Sequence, residues 1–182
     1  MLDLIIKNGQ CYIDGELKNL DVAIKDGKIQ QIGKILEKAK EEISAKDQII
    51  LPGCIDTQTH FREPGSTDTE DLHSGSRAAI VGGITSVFEM PNTNPPTSNM
   101  REFQRKLELA QDRMYCNYAF YFGATADNSE DLASLKDLEG CCGIKLFAGS
   151  STGNLLVAEE NDIDKVFQNS SKVVAVHSED EA

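Results

Sequence analysis

At 182 residues the chain is long enough for one ordinary domain and shorter than the roughly 250 residues of a closed eight-stranded (β/α) barrel. Its 40% hydrophobic content can supply a buried core, which sets disorder aside. A formal net charge of −12 without a Lys/Arg cluster argues against nucleic acid and anionic membrane surfaces as partners.

No stretch approaches the ~18 apolar residues of a membrane span. MLDLIIKNG lacks the basic start and long apolar centre of a signal peptide, so a cytoplasmic location is expected. Five cysteines, an odd number without CxxC spacing, form no disulfide framework. The vicinal pair Cys141–Cys142 lies in an apolar run and reads as core packing.

Residues 1–50 have a character of their own. Short apolar runs are broken by NG, DG and DG, and Asp26-Gly27 between VAIK and KIQQI is a strong hairpin signal. This predicts a small β-sandwich-like domain over 1–50, followed by a polar connector, EKAKEEISAKD. From residue 51 to 182 the pattern becomes strand, loop and helix in repetition. The predicted strands are IILPGCIDTQTH, ITSVFEMP, MYCNYAFYFGAT, CCGIKLFAG and KVVAVHSED. Helical stretches start near Glu70, Met100, Glu130 and Glu159, and Thr67/Glu70 and Asn99/Glu102 have capping-box spacing. Alternation of this kind implies parallel βαβ units, in a (β/α) barrel or a doubly wound sheet. The absence of GxGxxG and GxxxxGK[ST] after the first strand weighs against a nucleotide-binding sheet.

In barrels the chemistry gathers at the C-terminal ends of the strands. Those ends carry Gln58, His60 and Arg62, then Asn92, Lys145 and His177. Asp56, Gln58, His60 and Arg62 share one face if the extended conformation persists. A single strand-end histidine such as His60 is more often structural than a ligand, and a neutral Gln58 is a weak ligand. Lys145 interrupts an apolar run in a strand whose two faces should both be covered. It either snorkels to solvent or is buried with a lowered pKa, in which case its amine could capture carbon dioxide as a carbamate. His177 is carried to its strand tip by VVAV and is open to both readings, structural or zinc ligand. His73, in a polar helix start, reads as surface. PNTNPP reads as a turn, and GSSTGN as a plain loop or an anion-holding one.

Four of these stretches, DTQTHFREPG, MPNTNP, GIKLF with GSSTGN, and VAVHSED, occur together in an order that resembles the dihydroorotases. That family lies in the cyclic-amidase branch of the amidohydrolase superfamily, beside hydantoinases and allantoinases. The resemblance covers the whole chain. It implies an α/β fold, a (β/α)8 TIM-type metal-dependent hydrolase barrel (incomplete in this chain) preceded by a small β domain. It also implies reversible conversion of N-carbamoyl-L-aspartate to L-dihydroorotate in pyrimidine biosynthesis.

By the same resemblance, one or two Zn2+ ions would be held by His60, a carbamylated Lys145 and His177. Gln58 stands where the family usually has the first histidine of an HxH pair, so its place as a ligand is weakened. Arg62 and Asn92 match the residues that hold the substrate carboxylate. The general-base aspartate, further histidines and last three strands are expected beyond Ala182. A homo-oligomer is expected of the full-length form, with a pyrimidine-pathway enzyme as a candidate partner. Two alternatives stand beside this reading: a non-catalytic structural partner of such an enzyme, and an amidohydrolase for another cyclic amide of hydantoin or allantoin type.

Overall fold

The computed structural model describes residues 1–151 and 153–179. The chain divides into two compact units, Met1–Pro52 and Gly53–Ala182.

The first unit is one five-stranded sheet built from β1 (Leu2–Ile13), β2 (Glu16–Lys25), β3 (Lys28–Gly33), β4 (Ala39–Ser44) and β5 (Ile49–Ile50). Its order is β3-β2-β1-β4, with β5 also pairing β1. Both DG dipeptides close two-residue hairpins, Ile13 facing Glu16 and Lys25 facing Lys28. Asp14, Gly15, Asp26 and Gly27 all have positive φ, the backbone that gives such turns the twist of their flanking strands. The NG dipeptide does something else. Asn8, at φ 64°, sits where the β1–β2 register shifts between Ile6 and Gly9, so NG marks a bulge inside one strand. Leu2, Ile5, Ala23 and Ile35 form the small core.

EKAKEEISAKD is more than the expected connector, because it contains β4, which runs parallel to β1 with Leu4 opposite Glu41 and Ile6 opposite Ile43. Its charged composition conceals a strand because it lies at the end of the sheet order, where Lys and Glu side chains can face water.

The second unit is a parallel sheet in sequence order: β6 (Cys54–Thr59), β7 (Ile84–Glu89), β8 (Asn117–Gly123), β9 (Cys141–Phe147) and β10 (Val174–His177). Between the strands lie α1 (Leu72–Val81), α2 (Met100–Ala110), a 3₁₀ helix (Ser129–Leu135) and α3 (Glu160–Asn169). This is the curled parallel half-sheet of a (β/α) barrel. Phe103 from α2, Leu132 and Leu135 from the 3₁₀ helix, and Val166 from α3 pack with Phe120 and Ile144 of the strands in one buried cluster.

Four local expectations are corrected. IILPG does not continue into the barrel strand: Ile49–Ile50 pairs with β1, and β6 starts only at Cys54, after Pro52 and Gly53. The cap of α1 is Asp71, which accepts from Ser74 N at 2.6 Å while its own N–H donates to Ser74 Oγ at 3.1 Å. Thr67 lies in the preceding turn and Glu70 follows that turn. The segment near Glu130 is a 3₁₀ helix, which suits its buried Ser129, Leu132 and Leu135, three residues apart and therefore aligned along one edge. Asn99 does cap α2, accepting from Glu102 N at 3.0 Å, but the Glu102 carboxylate binds Arg101 at 2.9 Å rather than closing a capping box.

Candidate active site at the carboxyl ends of the strands

Gln58, His60, Arg62, Asn92, Lys145 and His177 all line one cavity of about 440 Å3. They arrive from four strands: β6 and its following turn, the turn after β7, β9 and the tip of β10. Met90 and Phe147, together with Ser150 and Ser151 of the GSSTGN stretch, complete the wall. Thr152 of the GSSTGN stretch lies outside the described residues.

His60 is half-buried, with Nδ1 2.9 Å from Asn92 Oδ1. An amide oxygen can only accept, so this contact places the proton on Nδ1 and leaves the Nε2 lone pair open. Burial holds the His60 imidazole below its ordinary pKa, the Arg62, Lys145 and Lys106 charges push the same way, and the Asn92 contact opposes them. The ring is thus disposed to be neutral, the form that binds a metal.

The shared-face expectation holds for where Arg62 ends up and fails for how it gets there. β6 ends at Thr59, and Arg62 is left-handed at φ 62°. Its flanks hold it there. Phe61 and Glu63 are buried, and Phe61 N–H donates to Glu89 Oε1 at 3.2 Å. Glu63 accepts from Arg113 at 2.8 and 3.1 Å and from Leu72 N–H at 2.9 Å. The exposed Arg62 side chain lies between the main cavity and a second one of about 320 Å3, and Asn92 lines both.

Lys145 is only 4% exposed, which removes the snorkelling alternative. Burial lowers its pKa, and among the described residues no hydrogen bond or ion pair is recorded for its Nζ, which lies 5.0 Å from the Phe147 ring centroid. A lowered pKa increases the share of uncharged amine, the form that adds to carbon dioxide. His177 Nε2 lies 3.3 Å from Glu179 Oε2, an acid in VHSED that sequence reading passed over. His73 is exposed on α1 and meets Tyr115 Oη at 3.2 Å, a surface contact as expected.

No cluster of three or more His, Cys, Asp or Glu capable of holding a metal occurs among the described residues. The donors present are two imidazoles, a buried amine and an amide. That set fits a zinc site once Lys145 carries a carbamate, whose oxygens turn the amine into an anionic ligand. The five cysteines are free, and Cys141 is buried. No helix among the described residues is long and apolar enough to cross a membrane.

The model of the Amidohydrolase family matches residues 49–175, and the chain belongs to that family. It is 38% identical over 186 residues to the dihydroorotase of Methanosarcina mazei, covering all of this chain and 40% of that protein. It is 32% identical to the dihydroorotase of Thermococcus kodakarensis, over 97% of this chain and 41% of that one. An allantoinase of Salmonella choleraesuis is 38% identical over 149 residues, 81% of this chain and 33% of its own. Among solved structures, the L-hydantoinase of Arthrobacter aurescens superposes with a TM-score of 0.90 at 28% identity, over all of this chain and 42% of that one. The chain therefore spans about 40% of the length of the dihydroorotases it matches.

Proposed function

We propose that the chain carries the substrate-clamping and part of the metal-holding half of a dihydroorotase-type site, for reversible conversion of N-carbamoyl-L-aspartate to L-dihydroorotate. The observation that carries this reading is the placement of Arg62 and Asn92 beside His60 at the mouth of one cavity. The dihydroorotase relatives, similar over 97–100% of the chain, support it.

His60 through Nε2, His177 and the carbamate of Lys145 would hold zinc, with Gln58 at the rim as a weak neutral donor. Bound there, zinc supplies Lewis acidity and a water acidified toward hydroxide. The remaining work belongs to the chain. The neutral Lys145 amine adds to carbon dioxide, forming an N–C bond and releasing the amine proton. Arg62 offers a planar fork to the substrate carboxylate, and Asn92, whose Oδ1 is committed to His60, has Nδ2 left to donate to the same group. Glu179 steadies His177 from the solvent side.

The test is a substrate panel. The full-length form, supplied with zinc and bicarbonate, should turn over dihydroorotate in preference to allantoin and hydantoins, and residues 1–182 alone should turn over none of them. The allantoinase and hydantoinase likenesses make a second reading specific, in which the preference reverses. Turnover of none by the full-length form would favour the non-catalytic partner role.

A further inference from the structure

A buried acid–base pair contacts the turns that follow β6 and β7. Glu89, the last residue of β7, pairs through Oε2 with Nζ of Lys106 from α2, and the two side chains are 1% and 0% exposed. Two charges so deeply buried are costly. An apolar pair of similar volume in their place is often neutral or better for stability. Each partner spends its remaining bonding capacity on the backbone of a site turn. Glu89 Oε1 accepts from Phe61 N–H at 3.2 Å, on the peptide bond that joins His60 to Phe61. Lys106 Nζ donates to Met90 O at 2.8 Å, two residues before Asn92. The pair thus ties the turn bearing His60 to the turn bearing Asn92.

We infer that Glu89 and Lys106 are positioning residues that set the two turns at the separation where Asn92 holds the proton of His60 on Nδ1. This deepens the proposed function, because it rests on reading His60 as an imidazole that must present Nε2. Imidazole free in water favours the opposite tautomer, with the proton on Nε2. The tautomer of His60 therefore reports whether the turns are in place, and a pair that merely filled the core would leave it unchanged.

The experiment follows the ring nitrogens of the chain's three histidines by 15N NMR in metal-free buffer, at a pH where the rings are neutral. The wild-type chain should show His60 with Nδ1 protonated. Glu89→Leu with Lys106→Met, an apolar pair, should fold with the same circular dichroism and shift the His60 signals toward the Nε2–H form. His73, on the outer face of α1, should not move. Glu89→Gln alone keeps an uncharged acceptor for Phe61 N–H, leaves Lys106 to donate to Met90 O, and should retain the wild-type tautomer. An unchanged His60 in the folded Leu/Met variant overturns the inference. So does a shifted tautomer in the folded Glu89→Gln variant, where both backbone ties are kept, which would assign the shift to repacking. Loss of fold in the Leu/Met variant overturns it too, since the pair would then hold the sheet and not the turns. No substrate or metal enters the measurement, so an absence of dihydroorotate turnover by the full-length form would sink the proposed function and leave this result standing.

Discussion

His60 and Asn92 meet across neighbouring strand ends, Nδ1 to Oδ1 at 2.9 Å, and that contact decides which ring nitrogen is available. Partners of this kind orient metal-binding imidazoles, and their loss typically costs about 10- to 100-fold in metal affinity. Asn92→Ala should lower zinc affinity by that order, measured by competition with a chromophoric chelator. Wild-type affinity in the variant would remove Asn92 from this role.

Arg62→Ala should weaken binding of dihydroorotate and carbamoyl-aspartate while leaving zinc content unchanged. Loss of a charged hydrogen bond costs about 1.5–3 kcal/mol, or roughly 10- to 150-fold in affinity. The backbone strain at φ 62° is common to both side chains, so it cancels in the comparison. An unaltered KM would show that the carboxylate is held elsewhere.

Gln58 is exposed at the cavity rim, at a position where imidazole would be a far better zinc donor than a neutral amide. Gln58→His should raise the zinc retained after dialysis against a weak chelator, read by elemental analysis. Unchanged or lower content would mean that residue 58 points away from the metal.

Asp71 caps α1, and its contacts with Ser74, the backbone N–H first, hold its carboxyl below the ordinary range. A carboxylate depressed in the folded state stabilises above its unfolded pKa and loses that contribution as pH falls through the folded value. Asp71→Ala should therefore cost about 1 kcal/mol near neutrality, with the gap to wild type narrowing on acidification below the ordinary carboxylate range. Asp71→Asn keeps an uncharged cap and should show a much flatter gap. Thermal melts across that pH range would decide, and a pH-independent gap for the Ala variant would contradict the assignment.

The sequence made the strands of the second unit legible because parallel strands, covered on both faces, read as apolar runs ending in polar tips. His60, Lys145 and His177 stood out for that reason. The same rule applied to ITSVFEMP would have flagged Glu89, a carboxylate at the end of an apolar strand. What it could not give was Lys106 as the partner, 17 residues later on a helix whose other face is charged. Arg62 was placed by counting alternate residues, yet it reaches the cavity through a left-handed turn fixed by Phe61 and Glu63, whose partners lie far along the chain. β4 was hidden for the opposite reason, since an edge strand tolerates the composition of a linker.

The sheet of the second unit has the order β10-β9-β8-β7-β6, each strand bonded to the one before it in the chain. This has a meaning in time. Successive strands start about thirty residues apart, and synthesis at about 5–20 residues per second delivers a new one every few seconds. Each strand emerging from the ribosome therefore finds its hydrogen-bonding neighbour already made. Pairing can follow translation in register, and Glu89 is in place before Lys106 arrives to neutralise it.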